Sequence, residues 1–554
     1  MSESERHDGG LTRKQLLGAG AAATATAFLS GSGVERAMAA KGGGGDPVAG
    51  MNVILFITDQ ERAIQHFPPN WMRQNLPGMR RLRQHGLSFE SACTAACMCS
   101  PSRSSMMTGY FPAQHGVKYT LEEDMSARKY PQVNLPTDLP NLGTVMKAAG
   151  YQVAYKGKWH CSKPATKEEA VPADLEKYGF DRWDPPDAGA NQDPPEAGGG
   201  NINNDGRFIE SQGSDSAGTE GAMQYLETVE AQKQPFFLVI SLVNPHDVLF
   251  YPSSTFDEAG YDKSWLAGEI GLPPTVAEDL STKPSVQKEF LHIMNLTGTP
   301  RKDAEKRAYL NFYGNLMRSS DNYLVDVLNK LEEKGLYDDT LIIRTSDHGE
   351  MGLAHGGLRQ KNFNFYEETM NVPLVYSNPK LFPRPYTSDA LISHVDLLPT
   401  LASLAKAPKS ARRDWAGVDY SDLVLDPGGK GTAQDYVVFT YDDFQSGQKT
   451  PPYPKPPNHI VSIREQRWKL AKYHAVEVTV DKKTEMPVET RPEEPVPPQW
   501  EMYDLKRDPN EEKNLAAPGF ERTPLQEREF KRLRKKLAAV EKTRLHPLKE
   551  PVAA

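Results

Sequence analysis

Three cysteines crowd into "CTAACMCSPSRSSMMTG", residues 93 to 109, and one of them has neighbours that could make it reactive. Cys99 is followed by Ser100, Pro101 and Arg103. Ser100 suits an N-cap and Pro101 the first helical position, so the stretch to Gly109 reads as a helix with Cys99 just before its start. Unpaired backbone N–H groups and the helix dipole favour an anion there, and Arg103 lies one turn further on. This local pattern fits a reactive cysteine at an anion site, and it also fits a buried structural thiol.

The other residues able to do chemistry stand at the ends of apolar runs. Asp59 and Gln60 follow "MNVILFIT", Lys158 and His160 close "YQVAYKGKWH", His246 follows "PFFLVISLV", and Asp347 with His348 follows "TLIIRTS". Continuous β-branched-rich runs of this length are expected for strands buried on both faces. Between them lie helical patterns: "LPGMRRLRQHG", then "LPNLGTVMKAAG" with Pro140 near N1 and Gly150 at its end, then residues 217–231, then Ala304 to Lys334 with a stop at Gly335. Alternation of this kind predicts a mostly parallel α/β sheet flanked by helices, with ligands gathered outside the carboxyl ends of the strands. Asp59, His246, Asp347 and His348 would then converge although they are far apart in the chain.

The 554 residues suggest one large domain and a smaller one, and a net charge of -8 spread over mixed-sign segments offers no footprint for nucleic acid. Residues 1–40 read as an export signal: Arg13 and Lys14, the apolar run "LLGAGAAATATAFL", and "AMAA" as a cleavage site. "TRKQLL" is a near twin-arginine pattern. The run is shorter than the ~20 residues a bilayer requires, so the mature chain is expected outside the membrane, periplasmic or secreted. Four cysteines are too few for a disulfide framework, leaving buried thiols or one bridge from Cys161 to Cys93 or Cys97. Residues 183–206 and 445–458, rich in Pro, Gly and Asn, read as surface loops or as the rim of a pocket. After about residue 430, "DYVVFTY" and "HIVSIREQRWKLAKY" followed by a charged helix near 524–543 suggest a small antiparallel subdomain closed by a helix.

"CSPSRSSMMTG" resembles the first signature of the type I sulfatases, of the alkaline phosphatase superfamily, in which the cysteine becomes formylglycine. "GYQVAYKGKWH" is similar to the second signature, with Val153 and Lys156 departing from it, "TSDHGEMGLAHGGLRQK" to a third conserved region, and "EMYDLKRDPNEEKNLA" to the closing segment. The resemblance implies an alkaline-phosphatase-like fold, with a catalytic domain over 51–425 and a C-terminal subdomain over 426–554. It assigns one divalent metal to Asp59, Gln60, Asp347, His348 and an oxygen of the modified Cys99. Oxygen ligands suit Ca²⁺, while Gln60 in place of a second aspartate admits Mn²⁺ or Mg²⁺. It also implies that one oxygen of the aldehyde hydrate attacks sulfur, helped by Asp347, and that loss of the second proton then expels sulfate. Arg103 would stabilise the hydrate, and Lys158 and Lys361 would hold the sulfate. His246 would protonate the leaving alkoxide and His160 would assist the collapse, each with a pKa near working pH. Lys361 sits one residue further along than in the common form, and His355 is a further substrate-contact candidate. His115 and His85 read as structural. The expected activity is hydrolysis of a small-molecule or carbohydrate sulfate ester, dependent on a formylglycine-generating system. The alternatives are a phosphonate monoester or phosphodiester hydrolase, whose relatives share the Asp-Gln pair, and an inactive binding protein on the same fold.

Overall fold

Alternate residues of each apolar run enter different cores. In the first strand Val53, Leu55 and Ile57 join one apolar cluster while Ile54 and Phe56 join another; Leu341 and Ile343 are divided from Ile342 in the same way. This period-2 division is what a strand covered on both faces produces. In the computed structural model, which describes residues 48–548 apart from 64–65, 123–131, 165–169, 191–192, 212–219, 230–233, 297, 430 and 447–450, the strands are β1 (Asn52–Thr58), β2 (Gly86–Cys93), β3 (Ala96–Cys97), β4 (Gln152–Gly157), β5 (Phe236–Ser241), β6 (Thr340–Ser346), β7 (Leu374–Ser377), β8 (Tyr386–Ser393), β9 (Val437–Tyr441), β10 (His459–Arg464), β11 (Trp468–His474), β12 (Glu477–Val480), β13 (Pro487–Thr490) and β14 (Gln499–Asp504). The export segment expected over 1–40 lies outside the described residues.

The main sheet runs β4-β5-β1-β6-β7-β2-β8. Every pairing in it is parallel except those of β7, which lies antiparallel to β6 and β2. One face packs against helices that include Leu142–Ala148 and Leu397–Leu404, the other against the long helix Asp303–Glu333. The smaller sheet runs β14-β11-β10-β9-β3, antiparallel except at β3–β9. Its edge strand is therefore supplied by Ala96–Cys97, far upstream of the other four. Leu533, Leu537 and Val540 of helix Pro524–Arg544 cover this sheet, and Thr523 caps that helix by accepting from the Gln526 N–H.

Two local expectations shift. Helix Leu142–Ala148 begins after Asn141, whose side chain accepts from the Gly143 and Thr144 N–H groups, so Asn141 caps it and Pro140 stays outside. The cysteine helix begins at Cys99 itself, after Met98, and ends at Gly109 with φ +72°. Ser100 is not the cap; its hydroxyl accepts from the Leu121 N–H and ties a passing strap to the helix.

Candidate active site

The strand order places β4, β5, β1 and β6 side by side, and each delivers site residues just past its carboxyl end. Asp59 and Gln60 leave β1, Lys158 and His160 leave β4, Asp347 and His348 leave β6, and His246 opens the short turn His246–Phe250 after β5. Gln60 and His160 take positive φ, at 68° and 53°. The turn at His160 is fixed from outside: Asp187 accepts from the Trp159 and His160 N–H groups at 2.7 and 2.8 Å. Asp187 belongs to the Pro/Gly/Asn-rich stretch 183–206, so that stretch is in part a brace beneath the site. Backbone bonds to a carboxylate hold a strained residue that propensity would not.

Cys99 occupies the first turn of its helix, buried, with Sγ 3.2 Å from His348 Nε2 and 3.8 Å from Asp59 Oδ1. Arg103, one turn on, bridges both carboxylates: its Nη2 donates to Asp59 Oδ2 at 3.0 Å and its Nε to Asp347 Oδ2 at 2.9 Å. Its Nη1 donates to the Lys158 carbonyl and to Ser241 Oγ. Lys158 Nζ lies 2.6 Å from Asp59 Oδ2. Lys361 Nζ donates to Gln60 Oε1 at 2.6 Å, so the extra residue before Lys361 does not keep it from the cluster. His160 Nε2 is tied to the Leu121 carbonyl at 2.6 Å, which leaves Nδ1 buried without a hydrogen-bond partner.

Burial pushes Asp59, Asp347 and Cys99 toward their neutral forms, and the neighbours decide the outcome. Burial raises Asp59, but Lys158, His246 and Arg103 outweigh it and hold the carboxyl well below its usual range. Burial and the Asp59 charge raise Asp347. Cys99 is pulled well below an ordinary thiol, against burial, by Lys158, Lys361 and His348. Cys97, two residues away, goes the opposite way because burial dominates there. Cys93 and Cys161 are pushed up to about 12 by burial, and all four cysteines are free thiols.

Two expectations about histidines change. Burial and then Lys158 push His246 down to about 4, away from the working-pH value expected of it. His355 is fully enclosed: Nδ1 lies 2.6 Å from Glu278, Nε2 lies 3.7 Å from Glu368, and the ring stacks on Tyr366 at 3.6 Å. With both nitrogens facing carboxylates, and the ring buried, it braces the loop before Lys361. His115, bonded to Ser105 Oγ and the Val117 N–H, and His85, against the Phe382 carbonyl, are structural as expected.

Asp59, Cys99, Asp347 and His348 present ligand atoms within 4.8 Å of one another. The donors suit a cation. His348 Nδ1 lies 3.0 Å from the Gly349 carbonyl, which only accepts, so that nitrogen carries a proton and Nε2 faces the cluster. Burial lowers His348, but Asp347 and Cys99 raise it further, so the surrounding anions favour positive charge at Nε2. Glu350, in the quoted third region but given no role there, accepts from Gln60 Nε2 at 2.6 Å.

The family model named Sulfatase matches residues 51–407. The chain belongs to the sulfatase family. It is thereby a sulfuric ester hydrolase with the α/β fold of the alkaline phosphatase superfamily. The sulfatase is 24% identical over 407 residues to an ulvan-active sulfatase of Formosa agariphila, covering 73% of this chain and 70% of that one. It is 25% identical to an N-acetylglucosamine-6-O-sulfatase of Bacteroides thetaiotaomicron over 532 residues, covering 84% and 82%. Among solved structures, a 2-O GAG sulfatase matches with TM-score 0.62 at 19% identity over 89% of this sulfatase and 92% of that chain. The phosphonate monoester hydrolase of Agrobacterium radiobacter matches with TM-score 0.58 at 17% identity over 89% and 96%. Among the described residues no helix is long and apolar enough to cross a membrane.

Proposed function

We propose that this sulfatase hydrolyses a sulfate ester of a carbohydrate, using a formylglycine made from Cys99 by a formylglycine-generating system and one divalent cation, and that it does so after export. The observation that carries this reading is the meeting of Cys99 Sγ, Asp59, Asp347 and His348 within 4.8 Å, ringed by Arg103, Lys158 and Lys361. Asp59, Gln60, Asp347 and His348 would hold the cation. Carboxylate and amide oxygens favour Ca²⁺, and the imidazole admits Mn²⁺ or Mg²⁺. When present, the aldehyde hydrate supplies an oxygen nucleophile and the cation supplies positive charge beside it.

The chain's own residues have the remaining work. Lys158 Nζ pairs with Asp59 and Lys361 Nζ donates to Gln60, so both ammoniums keep N–H groups for sulfate oxygens. Arg103 fixes the two carboxylates in place. His160, tethered through Nε2, presents Nδ1 for proton transfer. His246, at the end of β5, is the donor to the departing alkoxide; a bound anion offsets Lys158 and Lys361 and so favours its charged form.

The carbohydrate half of the reading leans on relatives: an ulvan-active sulfatase, an N-acetylglucosamine-6-O-sulfatase, and a solved neighbour bound to D-glucosamine-2-N,6-O-disulfate. The Asp59–Gln60 pair supports a second reading, phosphonate monoester or phosphodiester hydrolysis. An activity panel of sulfated sugars, aryl sulfates, aryl phosphonates and phosphodiesters separates them, on protein whose Cys99 peptide carries the aldehyde by mass spectrometry. Sulfate esters are expected to lead in kcat/KM. Phosphorus esters leading by orders of magnitude would overturn the sulfate reading, and a Cys99 that keeps its sulfur in the native host would remove the nucleophile.

A further inference from the structure

Gln60 carries an amide where an anion would be the simpler metal ligand, and an amide has a wrong way round. Its oxygen can serve a cation; its NH₂ cannot. Among the described residues the Gln60 side chain has three polar neighbours: Nε2 donates to Glu350 Oε2 at 2.6 Å and to Gln360 Oε1 at 3.3 Å, and Oε1 accepts from Lys361 Nζ at 2.6 Å. Glu350 is fully buried. Its other oxygen, Oε1, accepts from Tyr309 Oη at 2.8 Å, from the Gln360 N–H at 2.9 Å and from the Gly352 N–H at 3.0 Å. Both ends of this carboxylate are thus used as acceptors, a demand an ionised Glu meets and a Gln cannot.

We infer that Glu350 is a positioning residue: it locks the Gln60 amide with its oxygen toward Lys361 and the metal-binding cluster. This rests on the metal-site reading above. Outer partners that orient a ligand are typically worth 10- to 100-fold in metal affinity.

Glu350→Gln is unusually damaging for so small a change. Two backbone N–H groups and the tyrosine hydroxyl claim the new amide's oxygen at the Oε1 position. Its NH₂ must then face Gln60 Nε2, donor against donor, and the Gln60 amide has to turn over. That turns its own NH₂ toward Lys361 and the cation. The exchange Gln60→Glu with Glu350→Gln removes the conflict once the Gln360 amide turns its unpaired Nε2 toward position 60, because a Glu there accepts from both amides and still presents an oxygen inward. Gln60→Glu alone sets two carboxylates against each other.

The test is calorimetric titration of Ca²⁺, and separately of Mn²⁺, into the metal-stripped full chain, with the thermal midpoint of each metal-free protein recorded alongside. E350Q is expected to bind about 10- to 100-fold more weakly than wild type, and the double exchange Q60E/E350Q to recover most of that loss. E350Q binding within twofold of wild type would overturn the inference and leave the metal-site reading intact. So would a double exchange no better than E350Q. If E350Q does not fold, the double exchange alone decides, since the inference requires it to fold and bind. A wild-type chain that binds neither cation would instead sink the metal-site reading, and the inference with it.

Discussion

Two buried clusters in this molecule are built from nearly the same parts. The site sets Asp59 and Asp347 against Arg103 and Lys158; the contact between the two sheets sets Glu367 and Glu511 against Arg464 and Lys469. They differ in what is left over. Lys469 Nζ donates to Glu367 Oε1 and the Phe365 carbonyl and lies 2.8 Å from Glu511 Oε1, and Glu511 Oε2 accepts from the Glu367 N–H. In the site Lys158 pairs with Asp59 and Lys361 donates to Gln60, while Asp59 Oδ1, His348 Nε2 and Cys99 Sγ converge on one point. Burying charge is costly, so a cluster whose charges meet one another is a clasp, and one whose ligand atoms converge on a point is a place for something to bind.

The largest effect should come from the atom at the point of convergence. Cys99→Ala is expected to reduce turnover by at least about 10⁴-fold, as loss of a nucleophile does elsewhere, while its urea midpoint stays near that of wild type. Cys97→Ala is the control two residues upstream: it should keep turnover, because that thiol is raised by burial and belongs to the edge of the small sheet. Equal losses from both substitutions would mean the segment's packing, and not the Cys99 chemistry, had been measured.

The clasp should show the reverse pattern. Glu367→Ala strands the buried Arg464 and takes one of two carboxylates from the buried Lys469, and breaking such a pair costs about 3–5 kcal/mol. Denaturant unfolding should show that loss, with kcat per folded molecule unchanged. A variant that loses kcat and keeps its stability would end the distinction between the clusters.

A third buried group sharpens it further. His355 lies between Glu278 and Glu368; burial lowers it, but the two carboxylates prevail and raise it to about 9, against an ordinary 6.5. Because the folded value is the higher one, the stabilisation is complete below about pH 6.5 and is lost as pH rises through about 9. A gap of that size corresponds to about 3 kcal/mol. His355→Gln should therefore lose about that much against wild type at pH 6 and very little at pH 10, read from paired unfolding curves. A loss independent of pH would show that the ring stacking on Tyr366 matters and the charge does not.

How far the sequence reaches depends on the range of the interaction. Apolar runs ending in Asp59, His246 and Asp347 announce the main sheet and its carboxyl edge, because strand periodicity is local. The offsets of Pro101 and Arg103 single out Cys99 for the same reason. Asp187 is hidden in a stretch whose composition says loop, since its value lies in two backbone N–H groups 27 and 28 positions away. β3 is two residues long and exists only because Tyr441 and Thr440 lie beside it. His355 looked available because a histidine before a Gly-Gly pair is silent about Glu278, 77 positions upstream. Glu350 was in plain view, but the bond that gives it meaning crosses 290 residues to Gln60.

The smallest effect bears most directly on the open cluster. A ligand that binds only the folded state stabilises it by RT ln(1 + [L]/Kd), about 2.7 kcal/mol at a hundredfold excess over Kd. Saturating Ca²⁺ against a chelator should raise the unfolding free energy of wild type by about that amount. Glu367→Ala should start lower and rise equally, because the clasp contributes no ligand. Asp59→Ala should not respond, since it removes the oxygen that faces Cys99 and leaves Arg103 and Lys158 with an uncompensated charge beside the vacated position. If Asp59→Ala responds like wild type while Glu367→Ala does not, the cation binds at the clasp, and the cluster with converging ligand atoms is not the one that receives it.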